Sequence, residues 1–268
     1  ARLNQAPPRG TFMIFRGRTR SFLLLGPAAI ALLALPAFAA ALPDQLPDPD
    51  GKPADQSKPV KVFILMGQSN MLGFGRVGPE GKNGTLTYLT KKEGKYSHLV
   101  DDEGNWTERK DVRNIHVMCG KDMKNGWLTV NGNHIGPDLQ FGYIMGHVRD
   151  EPVLILKACI GNRSLGWDLL PPGSKQFEFD GKIYAGYKES PLSWDKGTTP
   201  EPIAWYAGKQ YDTDTGDAKN VLKNLAKYYP DYKGQGYEVA GFVFWQGHKD
   251  QNAAPASRYE QNLVHFIK

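Results

Sequence analysis

The chain has 268 residues, 40% hydrophobic and 23% charged, enough for one substantial α/β domain and too apolar for a disordered chain. Its formal net charge of +5 is inflated by Arg2, Arg9, Arg16, Arg18 and Arg20 at the N-terminus. The remainder is close to neutral, which argues against nucleic acid as a partner.

Residues 1–40 read as a signal-peptide region. The basic flank Arg16-Gly-Arg-Thr-Arg20 precedes an apolar stretch over 21–35, and Ala37-Phe38-Ala39 offers a small-residue cleavage site. Gly26, Pro27 and Pro36 interrupt the stretch and no basic stop-transfer flank follows, so no stable membrane insertion is expected after cleavage. The mature protein is expected to be exported, to the periplasm or beyond the cell. Met13 lies just upstream of the basic flank and suits an initiator, so the residues before it are expected to lie outside the translated protein. Residues 41–58, rich in Pro, Asp and Lys, read as a flexible leader, and a folded domain is expected over 59–268.

Val60-Lys-Val-Phe-Ile-Leu-Met66, bounded by Pro59 and Gly67, predicts a strand buried on both faces of a parallel sheet. Residues 76–135 are polar and Gly-rich, with aromatic residues out of period, and read as long loops with a small hairpin beside the sheet. Pro137 suits a first helical position, and Phe141, Ile144, Met145 and Val148 continue at helical spacing. Residues 152–159 repeat the buried-strand pattern, and a long insertion rich in Gly, Pro and aromatics follows over 169–216.

Ala218, Val221, Leu222, Leu225, Ala226 and Tyr229 form one helical stripe that stops at Pro230. Residues 239–245 predict a third apolar strand, and Tyr259, Leu263, Phe266 and Ile267 share one helical face. Strands alternating with helices predict a parallel sheet covered on both faces, a three-layer α/β/α domain. The two cysteines, Cys119 and Cys159, are permitted to pair in an oxidising compartment. Cys159, at the end of an apolar strand, better fits a small buried hydrophobe.

In an open parallel sheet, ligands bind outside the carboxyl ends of the strands. Three unusual segments follow the apolar runs: Gly67-Gln68-Ser69-Asn70-Met71, Gly161-Asn162-Arg163-Ser164 and Gln246-Gly247-His248-Lys249-Asp250. A serine at a tight strand-to-loop turn exposes its hydroxyl and leaves its own N–H free to donate, which suits a nucleophile. An isolated Gly-x-Ser-Asn is more often a turn whose serine satisfies only backbone groups.

His248 is the one histidine at a strand's carboxyl end, with Asp250 close by. His98, His116, His134, His147 and His265 have no ligand spacing with another His, Cys or carboxylate, so no metal is expected. Trp167, Trp194, Trp205 and Tyr206 offer flat faces to sugar rings or else pack the loops. Trp167, a few residues after Gly161, is the foremost candidate among them.

Phe63-Ile-Leu-Met-Gly-Gln-Ser-Asn-Met71 resembles the first block of the sialate O-acetylesterase and acetylxylan esterase group, the family-6-like carbohydrate esterases of the SGNH hydrolase superfamily. Residues 244–250 resemble that group's Trp-x-Gln-Gly-Glu-x-Asp-type block, and residues 158–165 are similar to its Gly-containing turn. The resemblance runs over roughly 60–268. It implies a flavodoxin-like SGNH fold and a serine esterase acting on acetylated polysaccharide or sialic acid, with no cofactor.

By the same resemblance, Ser69 is the nucleophile. The N–H groups of Ser69 and Gly161 and the amide of Gln246 stabilise the oxyanion. Gln68, Asn70, Asn162, Trp167, His248 and Asp250 are expected to meet the substrate.

Two departures bear on this. His248 stands where the group has Glu, and no Asp-x-x-His segment, the group's source of base and orienting acid, follows Asp250. The domain is therefore expected to be incomplete at its C-terminus, with the base past Lys268. His248 as base and a non-catalytic carbohydrate-binding relative are the alternatives.

Overall fold

The computed structural model describes residues 54–118 and 121–268. The expected signal peptide, most of the leader and Cys119 lie outside the described residues. β1 (Val60–Gly67) leads into the single-turn α1 (Ser69–Leu72), then β2 (Gly75–Arg76) and α2 (Leu86–Lys91). Next come β3 (Glu108–Met118), β4 (Lys121–Thr129), β5 (His134–Ile135) and α3 (Pro137–Val148). β6 (Val153–Cys159) precedes the short β7 (Phe177–Phe179), β8 (Lys182–Tyr184) and β9 (Ser193–Asp195). α4 (Lys209–Lys223), α5 (Leu225–Tyr228), β10 (Tyr237–Trp245), α6 (Ala253–Ala256) and α7 (Tyr259–Ile267) follow.

Five strands form the central sheet in the order β10-β1-β6-β3-β4, parallel except for β4, which runs antiparallel to β3. Every residue of β6 is buried. Its alternation sends Val153, Ile155 and Cys159 into a core shared with Leu139 and Tyr143 of α3. Leu154, Leu156 and Ala158 enter a second core with Val221 of α4, Leu225 of α5 and Leu263 and Phe266 of α7. Helices thus cover both faces of the sheet, and each fully buried aliphatic side chain contributes about 1.5–3 kcal/mol.

The fold class expected from the sequence holds, with four differences in detail. The stretch read as loops contains β3 and β4, and the hairpin they form belongs to the central sheet. Polar residues hid it: Arg109, Asp111 and His116 occupy buried positions on β3, and the Arg109 Nε–H donates to Asp111 at 2.9 Å. The helical stripe is split at Asn224 and starts earlier, at Lys209, because Gln210 and Asp214 are buried polar residues joined by a 3.0 Å hydrogen bond. The insertion carries a three-stranded antiparallel sheet, β7-β8-β9. β10 is an edge strand among the described residues, with Val239 and Trp245 each 51% exposed, so two-sided burial applies to β1 and β6 but not to it.

Cys159 is a free, buried thiol, as its apolar setting predicted. Burial pushes it up to about 12.

Candidate active site

Strand register brings the three candidate segments together. Gly67, the last residue of β1, lies opposite both Cys159 of β6 and Trp245 of β10. β1 sits between those strands, so the chain leaves all three at one edge of the sheet, with neighbours roughly 5 Å apart.

Gly67 has a φ of +153°, and a Cβ there would lie 2.2 Å from the Trp245 carbonyl oxygen. Only glycine permits so close an approach. The Gln68 N–H donates to that same oxygen at 3.2 Å, then Leu72 N–H donates to Gln68 O at 2.8 Å and Gly73 N–H to Ser69 O at 2.9 Å. This turn presents Ser69 half-buried as the first residue of α1. Among the described residues, neither its hydroxyl nor its N–H has a hydrogen-bond partner. Gly161 lies against the same turn, since a Cβ built on it would be 4.0 Å from Leu72 Cδ2. Asn162 follows in the left-handed region at φ 59° and is exposed.

Behind this surface the segments are tied by a buried polar network. Gln68 is 2% exposed; with its amide turned to satisfy both ends, it donates to Arg163 O at 2.9 Å and accepts from His248 N–H at 3.2 Å. Gln246 Nε2 also donates to Arg163 O at 2.9 Å, and to Asp250 Oδ2 at 2.5 Å. Asp250, 3% exposed, accepts in addition from Leu165 N–H and Gly166 N–H, both at 2.8 Å. The Tyr259 hydroxyl donates to Gln246 O at 3.0 Å.

These bonds involve three of the residues expected to meet the oxyanion or the substrate. Both amide hydrogens of Gln246 are committed, leaving none for an oxyanion. Gln68 and Asp250 are buried within the network. Asn70, Asn162 and His248 are exposed and Trp167 is half-buried, so these four remain at the surface.

Sequence reasoning passed over several residues that hold the site. Asp168, 4% exposed, accepts from Ser164 N–H at 2.9 Å and pairs with Arg163 Nη1 at 3.1 Å. The Arg163 guanidinium also stacks 4.8 Å from the Trp205 ring. Lys157, inside the apolar run of β6, is 4% exposed. It donates to Leu72 O at 2.7 Å and to Asp138 at 2.6 Å, tying the end of α1 to α3.

His116 Nε2 lies 3.2 Å from Cys159 O, and burial lowers its pKa to about 4. It is therefore neutral near pH 7, with Nε2–H donating to the end of β6. A buried cation in an apolar strand, or a histidine in a polar one, gives no pattern that separates it from a surface residue.

His248 reaches the Ser69 turn through its backbone N–H, while its side chain is exposed. No histidine ring is hydrogen-bonded to Ser69 among the described residues. Among those residues, no three or more His, Cys, Asp or Glu side chains are grouped to hold a metal ion.

Comparison with curated proteins finds no match. Two solved structures show similarity at low identity. One is a protein from Arabidopsis thaliana, with TM-score 0.42 and 14% identity over 78% of this chain and 66% of that one. The other is a carbohydrate acetylesterase from Xanthomonas citri, with TM-score 0.37 and 12% identity over 77% of this chain and 37% of that one. This chain therefore spans 66% and 37% of the lengths of the two proteins. The family model described as carbohydrate esterase, sialic acid-specific acetylesterase matches residues 59–268, the whole folded region, and the chain belongs to that family.

Proposed function

We propose that the protein is a serine esterase that removes O-acetyl groups from carbohydrate, with Ser69 as nucleophile. The observation that carries this reading is the register of Gly67 with Cys159 and Trp245, which sets an unpartnered serine hydroxyl beside the Gly161 turn.

Ser69 Oγ attacks the acetyl carbonyl carbon and its proton passes to a histidine base. The N–H groups of Ser69 and Gly161 receive the developing oxyanion, each donor being worth about 100- to 1000-fold in rate. The bond from the carbonyl carbon to the sugar oxygen breaks, that oxygen takes the proton, and water then releases acetate from acetyl-Ser69. Gln246 and Asp250 serve as positioning residues that hold the Gly161 turn. Asn70, Asn162 and His248 lie where the sugar approaches. The family membership supports acetylated carbohydrate as the substrate, and the N-terminal basic and apolar segments support export.

The test is labelling with a fluorophosphonate and release of acetate from acetylated glycans, each compared with Ser69→Ala. Labelling and acetate release lost together on Ser69→Ala support the reading. A protein that binds glycan yet neither labels nor releases acetate is instead a non-catalytic carbohydrate binder, the reading favoured by the exposed, unbonded His248 ring.

A further inference from the structure

Lys157 is the one charged residue in β6, two residues before Cys159 and four before Gly161. Strand alternation places it on the same face as Val153, Ile155 and Cys159, the face covered by α3, and its side chain is 5% exposed. An ammonium at that depth gives up its hydration and needs polar partners in return.

It finds them at the end of α1 and the start of α3. The ammonium donates to Leu72 O at 2.7 Å and to Asp138 Oδ1 at 2.6 Å, while the Asn114 amide of β3 donates to Asp138 Oδ2 at 3.0 Å. Gly136 permits this convergence: a Cβ there would lie 2.5 Å from Asp138 Oδ1, 2.9 Å from Lys157 Nζ and 3.1 Å from Met71 O. Without that Cβ, the chain entering α3 packs directly on the ion pair and on α1.

Met71 anchors α1 in the core and Leu72 packs against it. Leu72 and Gly73 also border a cleft of about 610 Å³, which Asn114, Asp138 and Lys157 line as well, so that end of α1 is not enclosed by side chains. A buried ion pair is a weak stabilising device, because desolvating both charges offsets their attraction and an apolar pair often serves as well. Asn114 Oδ1, buried without a hydrogen-bond partner, adds a further cost. What the cluster supplies is position. One side chain of β6 holds the end of the helix that begins with Ser69 to the strand that delivers the Gly161 turn.

We propose that Lys157, with Asp138 as its counter-charge, is a positioning residue for the Ser69 reaction, acting through the backbone of α1 to set the nucleophile against the Gly161 N–H. The effect on rate rests on the Ser69 esterase reading; the restraint on α1 does not.

The test uses two variants of the full chain. Lys157→Met keeps the stem and removes the ammonium; Lys157→Met combined with Asp138→Asn removes both charges and keeps an acceptor for Asn114. The single variant leaves Asp138 uncompensated and should lose thermal stability, and the double variant should regain a midpoint within a few degrees of wild type. Well below that midpoint, kcat of the double variant on p-nitrophenyl acetate should fall about 10- to 100-fold with KM within about threefold, the mark of a displaced nucleophile. Labelling by a fluorophosphonate should slow in the same proportion. Hydrogen exchange reads the restraint without any chemistry: the Leu72 and Gly73 amides, which donate to Gln68 O and Ser69 O, should exchange faster in both variants while those of β6 keep their protection.

Unchanged kcat and labelling in a folded double variant, or a change in KM in place of kcat, overturns the proposal. A double variant that no longer folds overturns it too, because the pair is then required for stability itself. A wild-type chain that neither labels nor hydrolyses the ester sinks the esterase reading and with it the effect on rate. Faster exchange at Leu72 and Gly73 would still establish that Lys157 restrains α1, and unchanged exchange would remove that as well.

Discussion

Gln68 and Gln246, at the ends of two paired strands, both donate their side-chain amides to one acceptor, the Arg163 carbonyl oxygen, at 2.9 Å each. Replacing Gln246 with Leu leaves that carbonyl with one donor and Asp250 with one fewer. The expected result is a stability loss of about 1–3 kcal/mol in urea denaturation, with any fall in kcat secondary to it. An oxyanion donor would give the opposite pattern, with kcat down about 100-fold or more at unchanged stability. That second pattern would return Gln246 to the oxyanion hole.

Asp250 joins β10's end to the loop after Gly161 through the N–H groups of Leu165 and Gly166. In Asp250→Asn one acceptor oxygen becomes a donor and must face an N–H. Hydrogen bonds to a charged group contribute about 1.5–3 kcal/mol each, so a loss of about 3 kcal/mol is expected. Hydrogen exchange locates the effect: the Leu165 and Gly166 amides are predicted to lose protection ahead of those in β6. Uniform loss across the sheet would mean that Asp250 does not anchor this loop in particular.

The contrast between β6 and β3 shows what the sequence makes legible. β6 is an apolar run with one lysine, and its place at the centre of a parallel sheet follows from that run alone. β3 is buried just as firmly at Val112 and Ile115, yet Arg109, Asp111 and His116 break the pattern: Arg109 and Asp111 pair with each other, and His116 bonds the Cys159 carbonyl at the end of β6. The three site segments were legible because they follow apolar runs. Their division into a solvent-facing set and a buried set was not. Gln68, Asn70, Gln246 and Asp250 are alike as polar residues near a strand end, and only the position of the Arg163 carbonyl and the Leu165 N–H separates them.

His116 predicts a pH dependence. Burial is the main cause that lowers its pKa to about 4 from 6.5; nearby Lys157 and Lys124 act the same way, while Asp138 and the bond to Cys159 O oppose them. The unfolded chain binds a proton below about 6.5 that the folded chain refuses until about 4, so stability falls as pH drops through that window. The full loss amounts to roughly 3 kcal/mol. His116→Gln keeps a donor near Cys159 O and removes the titration, so its stability profile should be flatter between those limits. Parallel profiles for the two proteins would refute this assignment.

His248 offers the sharpest choice about mechanism, because its backbone is fixed to Gln68 beside Ser69 while its ring is exposed and unbonded. A ring that meets the sugar contributes alike to the ground state and the transition state. His248→Ala should then raise KM by about tenfold and leave kcat within a few-fold, the mark of lost uniform binding. A general base acts only in the transition state, so its removal lowers kcat by about 100- to 10,000-fold and abolishes the acid limb of the pH–rate profile. Measuring kcat and KM on an acetylated oligosaccharide, with fluorophosphonate labelling of Ser69 in parallel, separates the two. Labelling that survives in His248→Ala means that Ser69 is activated without this ring. Labelling lost together with kcat makes His248 the base and the residue that replaces the family's Glu in more than position.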